Sequence, residues 1–512
     1  MNRDNSPAPP LPLVTARQMQ EWDHRAITEL GVPERVLMES AGRAAARIVH
    51  ALFPRGRVGA AVGRGNNGGD AVVLLRSLRS WGREAIAVPV GADALPAELL
   101  HGWEIPVAKE ADAVSVFRDC AVVVDGLLGT GASGPPRPPQ AECIRAMHAA
   151  GRPVVALDGP TGVDLTRGTV EGEAVRAECT ITFGAPKRGL LLHPGRVHAG
   201  RIFVVETGFP PLRAEAVGAG VITAEWAASR WKRLPPDAHK GVAGRLIVLA
   251  GHNAVGGAPI MCGHAALRTG AGTVRIVSHA GIRVAVAAAI PEALFSDREV
   301  DDVAELARTA SALVAGPGIG TDEAARVILA RMLEAAECPV LLDADALTLL
   351  ASDQTLLPER LRDRTLLTPH PGEMGRLLGI QTHEVTADAF GAVEAARDRF
   401  GCTVLLKGAP TLVAAPGAPV LANITGHSGV GVGGMGDTLA GLIGALMARG
   451  LPPADAAGLG IYYAGAAADR LGRGRPILPR DVAEMLPNVL GQSVEVGGLD
   501  FPEILLELEE AV

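Results

Sequence analysis

Short runs of aliphatic and β-branched residues recur along the 512-residue chain, separated by longer stretches whose apolar positions return every three or four residues. A run that is apolar at nearly every position suits a strand of a parallel sheet covered on both faces, because neither face meets water. In the first half these runs are RVGAAVG (57–63), EAIAVPV (84–90), CAVVVDG (120–126), PVVALDG (153–159) and CTITFGA (179–185). Helical periodicity at 70–81 and 138–150 separates several of them, and helices at about 16–31 and 34–52 precede the first strand. The second half repeats the alternation with RLIVLAG (245–251), TVRIVS (273–278), SALVAG (311–316), PVLLDAD (339–345), TLLTPH (365–370) and TVLLKGA (403–409). Strands alternating with helices predict an α/β protein with parallel sheets in two domains.

The length also exceeds what one core usually spans. Residues 207–241 are rich in Pro and Gly and poor in strand pattern, which places the boundary near 220. The expected organisation is a disordered tail at 1–12, a first domain at 13–215, a linker at 216–238 and a second domain at 239–512. Aromatics make up only 3% of the chain, so the cores must be built from Ala, Val, Leu and Ile. The net charge of −8 speaks against nucleic acid as a partner. No apolar run reaches the ~18 residues of a membrane span, and MNRDNSPAPPLPLVT lacks the apolar centre of an export signal. The six cysteines are far apart, without metal-ligand spacing, and read as reduced core residues of a cytoplasmic protein.

Ligands of such sheets sit beyond the carboxyl ends of the strands, and there the loops of this chain are polar and rich in glycine. After the first strand, Asn66, Asn67, Gly68 and Gly69 are expected to form a turn, with Asp70 capping the next helix. The third strand ends in Asp125 and leads into GLLGTGASGPP (126–136); the fourth ends in Asp158 and leads into GPTGVDLTRG (159–168). Three such loops point to one shared pocket. The oxygens of Asn67, Asp125 and Thr161 suit a hard cation, whereas bare glycine amides suit phosphate.

The second half carries HKG (239–241), GAP (257–259), AGPGIG (315–320), DADAL (343–347), TPHPGE (368–373), LKGA (406–409) and GVGGMGD (431–437). His370 could be a satisfied loop histidine, Lys407 a surface ammonium, Glu373 a charge at a helix start, and Asp437 a cap. Together they suit phosphoryl transfer. The amides of Gly433, Gly434 and Gly436 can stabilise charge on phosphate oxygens while Asp437 takes the proton of an attacking hydroxyl. The absence of G-x-x-x-x-G-K-[ST] excludes a P-loop protein.

The ordered motifs NNGGD, VVVDGLLGTG and VVALDGPTGVD resemble the epimerase domain of bifunctional NAD(P)H-hydrate repair enzymes over about 13–215. The seven motifs of the second half resemble the dehydratase domain of the same enzymes over about 225–500. Arg64 and Ala71 depart from the usual GPGNNGGDG, and Thr161 stands where serine is usual. The resemblance implies a Rossmann-like α/β sandwich followed by a ribokinase-like α/β domain. It implies hydrate contacts at 66–70, at Gly129, Thr130, Gly131, Ala132, Ser133, Gly134 and Pro135, and at Asp158. Potassium would be held by Asn67, Asp125 and Thr161. In the second domain Ala258, Gly318, His370 and Asp437 would meet the hydrate, with Lys407, Gly408, Ala409, Pro410, Thr411 and Gly436 on the adenine nucleotide. The implied activities are interconversion of R and S hydrates and ADP-dependent dehydration of the S form. Mg2+ would assist, Asp437 would be the base, Asp158 would handle a proton in epimerisation, and the chain would be a homo-oligomer. The rival expectations are a vitamin- or sugar-type kinase of the ribokinase-like group and a nucleotide-binding scaffold with a decayed site.

Overall fold

The computed structural model describes residues 7–91, 97–253, 255–492, 499 and 501–509, and every run singled out above is a strand in it. Among the described residues the strands form two sheets. The first has seven strands in the order Ile504–Leu508, Arg201–Val205, Cys179–Phe183, Val154–Leu157, Val122–Gly126, Val58–Val62, Ala85–Pro89. All neighbours are parallel except the Ile504–Leu508 edge, which runs antiparallel to Arg201–Val205. Alternate residues feed two cores. Val58, Ala60 and Val62 pack with Ile48, Leu74 and Leu78 on one face, while Ala61, Val123 and Ala156 pack with Phe117, Ile144 and Met147 on the other. Both faces are therefore apolar and dry, which is why the strands lack a polar alternation.

The second sheet has eleven strands. Its centre runs Thr403–Leu406, Thr365–Leu367, Val340–Leu342, Ala312–Ala315, Arg245–Leu249, Thr273–Ser278, Leu294–Asp297, all parallel. The antiparallel strands Leu412–Ala414 and Val420–Ala422 extend it on one side. In each sheet one strand is followed by neighbours on opposite sides. Val58–Val62 lies between Ala85–Pro89 and Val122–Gly126, and Arg245–Leu249 lies between Thr273–Ser278 and Ala312–Ala315. The loops diverge at these switch points and leave a crevice for a ligand.

The domain limits differ from expectation at three places. Ala8, in the segment expected to be a disordered tail, donates to Ser229 Oγ at 3.0 Å and accepts from Arg230 Nη1 at 2.7 Å; residues 1–6 of that tail lie outside the described residues. The expected linker 216–238 contains the strand Ala219–Val221, parallel to Val420–Ala422, and the helix Ala224–Arg230, whose Trp226 is buried. Its Val, Ile and Trp side chains give it a core to join despite the Pro and Gly around them. The strand Ile504–Leu508 belongs to the first sheet, not to the second domain that was expected to run to 512. Its Leu508 is buried, and Phe501 and Ile504 pack against the first core. Residues 493–498, 500 and 510–512 of that expected domain lie outside the described residues. No helix among the described residues is long and apolar enough to cross a membrane. All six cysteines are buried and none forms a disulfide among the described residues.

Candidate active sites

At the first switch point the helix Asn66–Ser80 starts as soon as Val58–Val62 ends, with Gly65 as its N-cap. Asn66 to Asp70 are thus helical instead of a turn, and Asp70 is the fifth helical residue instead of the cap. Gly68 makes this possible: a Cβ there would lie 2.0 Å from the carbonyl oxygen of Gly63, so only glycine lets the helix sit on the strand end. Gly69 is buried too, facing the Met38 sulfur. Asn66 donates to Glu34 Oε1 at 2.7 Å.

Asp125 is fully buried. Its oxygens accept from Thr161 N at 2.9 Å, Thr161 Oγ1 at 2.8 Å and Leu127 N at 3.2 Å. Burial pushes this carboxyl up to about 6, against the pull of those bonds. Asn67 is buried and neither of its amide atoms has a partner among the described residues. Leaving such groups unpaired costs about 1–3 kcal/mol each. An orphaned carbonyl oxygen, a carboxylate and a hydroxyl are the hard donors an alkali cation takes, so these residues fit the potassium that the family resemblance implies.

Asp158 holds a left-handed backbone, φ 64°, at the end of its strand. One carboxylate oxygen accepts from Thr130 N at 2.9 Å, the other from Lys187 Nζ at 2.5 Å. Lys187 has no exposed surface and also donates to Thr182 Oγ1 at 2.8 Å and Phe183 O at 2.9 Å. A side chain at Gly129 would meet Asp158 Oδ2 at 3.0 Å and the Asn67 Cβ at 3.5 Å, so the three share one spot. Gly131, Ala132, Ser133, Gly134 and Pro135 continue the same loop at the surface. Sequence reasoning missed Lys187. The strand-end rule, applied to the loop after CTITF, would have found it.

In the second domain, Gly318 (φ 64°) lies against the helix Gly257–Thr269. A side chain there would strike Val255 at 2.7 Å and come within 3.6 Å of the Ala258 Cβ, so these two predicted contacts are neighbours. His370 caps the helix Pro371–Leu378: its Nδ1 accepts from Gly372 N at 3.0 Å, and Glu373 Oε2 accepts from His370 N at 2.8 Å. Glu373 is buried, while half of the His370 ring remains exposed. Lys407 is no surface ammonium, with only 23% of its side chain exposed. It donates to Asp343 Oδ1 at 2.7 Å and lies 3.9 Å from Glu373 Oε2. Asp343 is buried and is placed by Ala344, whose φ of 49° is strained for a residue with a Cβ. Sequence reasoning quoted Asp343 only inside its motif, though it ends a strand as Asp125 does.

The helix Met435–Ala448 begins at Gly434, φ 88°, so Asp437 is its third residue and not its cap. A Cβ at Gly436 would lie 3.5 Å from Lys407 Nζ and 3.8 Å from Asp343 Oδ2. That brings the helix mouth, the lysine and the aspartate to one place. Burial, then the Asp343 carboxylate, push Asp437 up to about 6, and the Lys407 ammonium pulls the other way. Asp437 has no hydrogen-bonding or ion-pair partner among the described residues. Gly408 and Thr411 close a turn on each other, Thr411 Oγ1 donating to Gly408 O at 2.9 Å. Ala409 and Pro410 form the tip of that turn. No group of three or more His, Cys, Asp or Glu among the described residues could hold a metal by itself.

Comparison with known proteins gives two family matches. Residues 34–189 match a family described as YjeF-related protein N-terminus, and residues 246–488 match one described as NAD(P)H-hydrate dehydratase. The chain is 35% identical over 466 residues to a protein of Coxiella burnetii named bifunctional NAD(P)H-hydrate repair enzyme, covering 89% of this chain and 93% of that one. It is 34% identical to the Escherichia coli protein of the same name, covering 94% of each. Among solved structures, a hypothetical protein of Streptococcus mutans superposes with a TM-score of 0.50 at 27% identity, over 54% of this chain and 100% of that one. A ribokinase-like superfamily protein of Enterococcus faecalis superposes at 0.51 with 24% identity, over 54% and 96%.

Proposed function

The chain belongs to the bifunctional NAD(P)H-hydrate repair enzymes, and from that membership we propose how its two sites divide the work. It interconverts R and S hydrates of NADH and NADPH in its N-terminal domain and dehydrates the S hydrate in its C-terminal domain. We place the epimerase on residues 12–217 with the strand Ile504–Leu508, and the dehydratase on the unit that starts at Gly218.

In the dehydratase, ADP is the donor and lies against Lys407–Thr411 with its phosphates at the mouth of Met435–Ala448. The unpartnered carboxylate of Asp437 accepts the proton of the C6 hydroxyl as that oxygen attacks the terminal phosphorus and AMP leaves. The first-turn amides and Lys407 hold the migrating phosphoryl group. Phosphate then departs from C6 with its bonding electrons, C5 gives up a proton, and the dihydronicotinamide ring is restored. Asp343, Glu373 and Asp437 set three carboxylates against one ammonium, a surplus that fits a divalent cation carried in on the phosphates. Mg2+ bound there would supply charge neutralisation to the transferring group.

In the epimerase, Asn67, Asp125 and Thr161 would hold potassium, whose charge would tie together the segments that carry them. Asp158 is the proton acceptor at the ring, and Lys187 is the positioning residue that holds its carboxylate in place. Hydrate contacts come from 66–70, 129–135 and Asp158, and in the second domain from Ala258, Gly318 and His370.

The single observation that carries this reading is Asp437, a half-buried carboxylate without a hydrogen-bonding or ion-pair partner among the described residues, at a helix mouth beside Lys407. The test is a full-chain assay on mixed R and S hydrates with ADP or ATP, following dihydronicotinamide absorbance. Complete conversion, beyond spontaneous epimerisation, supports both activities. A stall near the S fraction removes the epimerase, and a stable phosphoester in place of NADH makes the second domain an ordinary small-molecule kinase.

A further inference from the structure

Epimerisation at C6 needs a proton donor as well as an acceptor, and the reading above, on which this inference rests, supplies only the acceptor Asp158. Three segments of the first domain bring carboxylates within electrostatic reach of Lys187: Asp23 of the helix Ala16–Thr28, Asp70 of Asn66–Ser80, and Asp158. The ammonium has three N–H donors, and they go to Asp158, Thr182 and Phe183. Its charge is therefore committed to Asp158. Asp70 is only 9% exposed and has no hydrogen-bond or ion-pair partner among the described residues. A buried carboxyl without a cation or a donor keeps its proton.

We infer that Asp70 is the proton donor of the epimerisation, working as the partner of Asp158. Burial, followed by the charges of Asp158 and Asp23, holds the Asp70 carboxyl well above the usual range, and Lys187 pulls the other way. Asp23 is itself raised, by burial and then by Glu34 and Asp158, with His24 and Lys187 pulling the other way. Two carboxyl groups in one site, one bonded to an ammonium and the other buried without a partner among the described residues, are the arrangement an acid–base pair requires.

The C6 carbon bears both a hydroxyl and the ring nitrogen N1, and such a centre inverts by opening. Asp158 takes the hydroxyl proton, the C–O bond becomes C=O, and the C6–N1 bonding pair goes to N1, which takes the proton of Asp70. Rotation about C5–C6 presents the other face of the aldehyde. N1 then re-adds, returning its proton to Asp70, while Asp158 returns the other proton to the oxygen. Nothing is oxidised, and both residues end in the state in which they began.

The test is Asp70→Asn in the full chain, fed R hydrate, with formation of the S hydrate followed by chromatography across a pH series. The amide keeps the size and can still bond to the ring but has no proton to transfer. We expect epimerisation to fall at least about a hundredfold with hydrate affinity kept within about threefold. The wild-type rate should decline as pH rises and Asp70 ionises, and that alkaline decline should vanish in the variant. Asp70→Glu, which restores the acid, should recover part of the rate. A variant within about threefold of wild type, or a slower one with the alkaline decline intact, would overturn the assignment. Should the wild-type chain itself not interconvert the hydrates, the epimerase reading fails before Asp70 is at issue.

Discussion

Asp125 and Asp437 stand at the rims of two different sheets, and burial pushes both carboxyls up to about 6. Their surroundings are opposite. Asp125 accepts three hydrogen bonds from Thr161 and Leu127, whereas Asp437 accepts none among the described residues. A carboxylate whose oxygens are spoken for orders loops and offers what is left to a cation; one with free oxygens can take a proton. The perturbed pKa marks both places as functional, and the hydrogen-bond inventory tells which function. The lysines repeat the contrast. Lys187 is sealed against Asp158, while Lys407, paired with Asp343, keeps 23% of its side chain exposed and can meet a phosphate.

Asparagine substitution should separate the two carboxylates most sharply. Asp437→Asn should lower dehydratase kcat about a thousandfold, measured with S hydrate and ADP. Asp125→Asn should leave that rate unchanged and show instead as a higher potassium requirement of the epimerase. Next come the lysines. Lys187→Met leaves Asp158 without its partner and should cost about 3 kcal/mol in denaturant unfolding of the first domain, with loss of epimerisation. Lys407→Met should cost less stability and raise the KM for ADP. A chain ending at residue 495 loses the strand Ile504–Leu508 and should destabilise the epimerase domain by about 2 kcal/mol through lost apolar burial. Its dehydratase should keep its turnover; a loss there would break the division of the chain proposed here. The smallest effect should come from Ala344→Gly, which relieves a positive φ and should stabilise the second domain by about 1 kcal/mol.

Much of this was legible in the sequence because parallel strands buried on both faces write themselves as unbroken apolar runs. The loops after them carried Asp125, Asp158, Lys407 and Asp437 at strand ends or helix starts. What stayed hidden depends on distant pairing. Ile504–Leu508 finds its partner about three hundred residues away, and nothing local says which sheet it joins. Ala219–Val221 lies among Pro and Gly that read as a linker, and its neighbour comes from 420–422. Asn66–Asp70 read as a turn because NG and GG favour turns, and only the close contact of Gly68 with Gly63 turns those glycines into helix-packing residues. Lys187 and Asp343 follow strand ends and so were open to the strand-end rule, but the partner that gives each its role is set by the fold.

The most direct test of the assignment of Asp437 is the pH dependence of dehydratase kcat at saturating S hydrate and ADP. Because Asp437 acts ionised and its carboxyl is raised to about 6, turnover should be level above that pH and fall tenfold per unit below it. The residual activity of Asp437→Asn should lack that decline. A wild-type profile flat through the same range, or a variant that keeps the decline, would contradict the account.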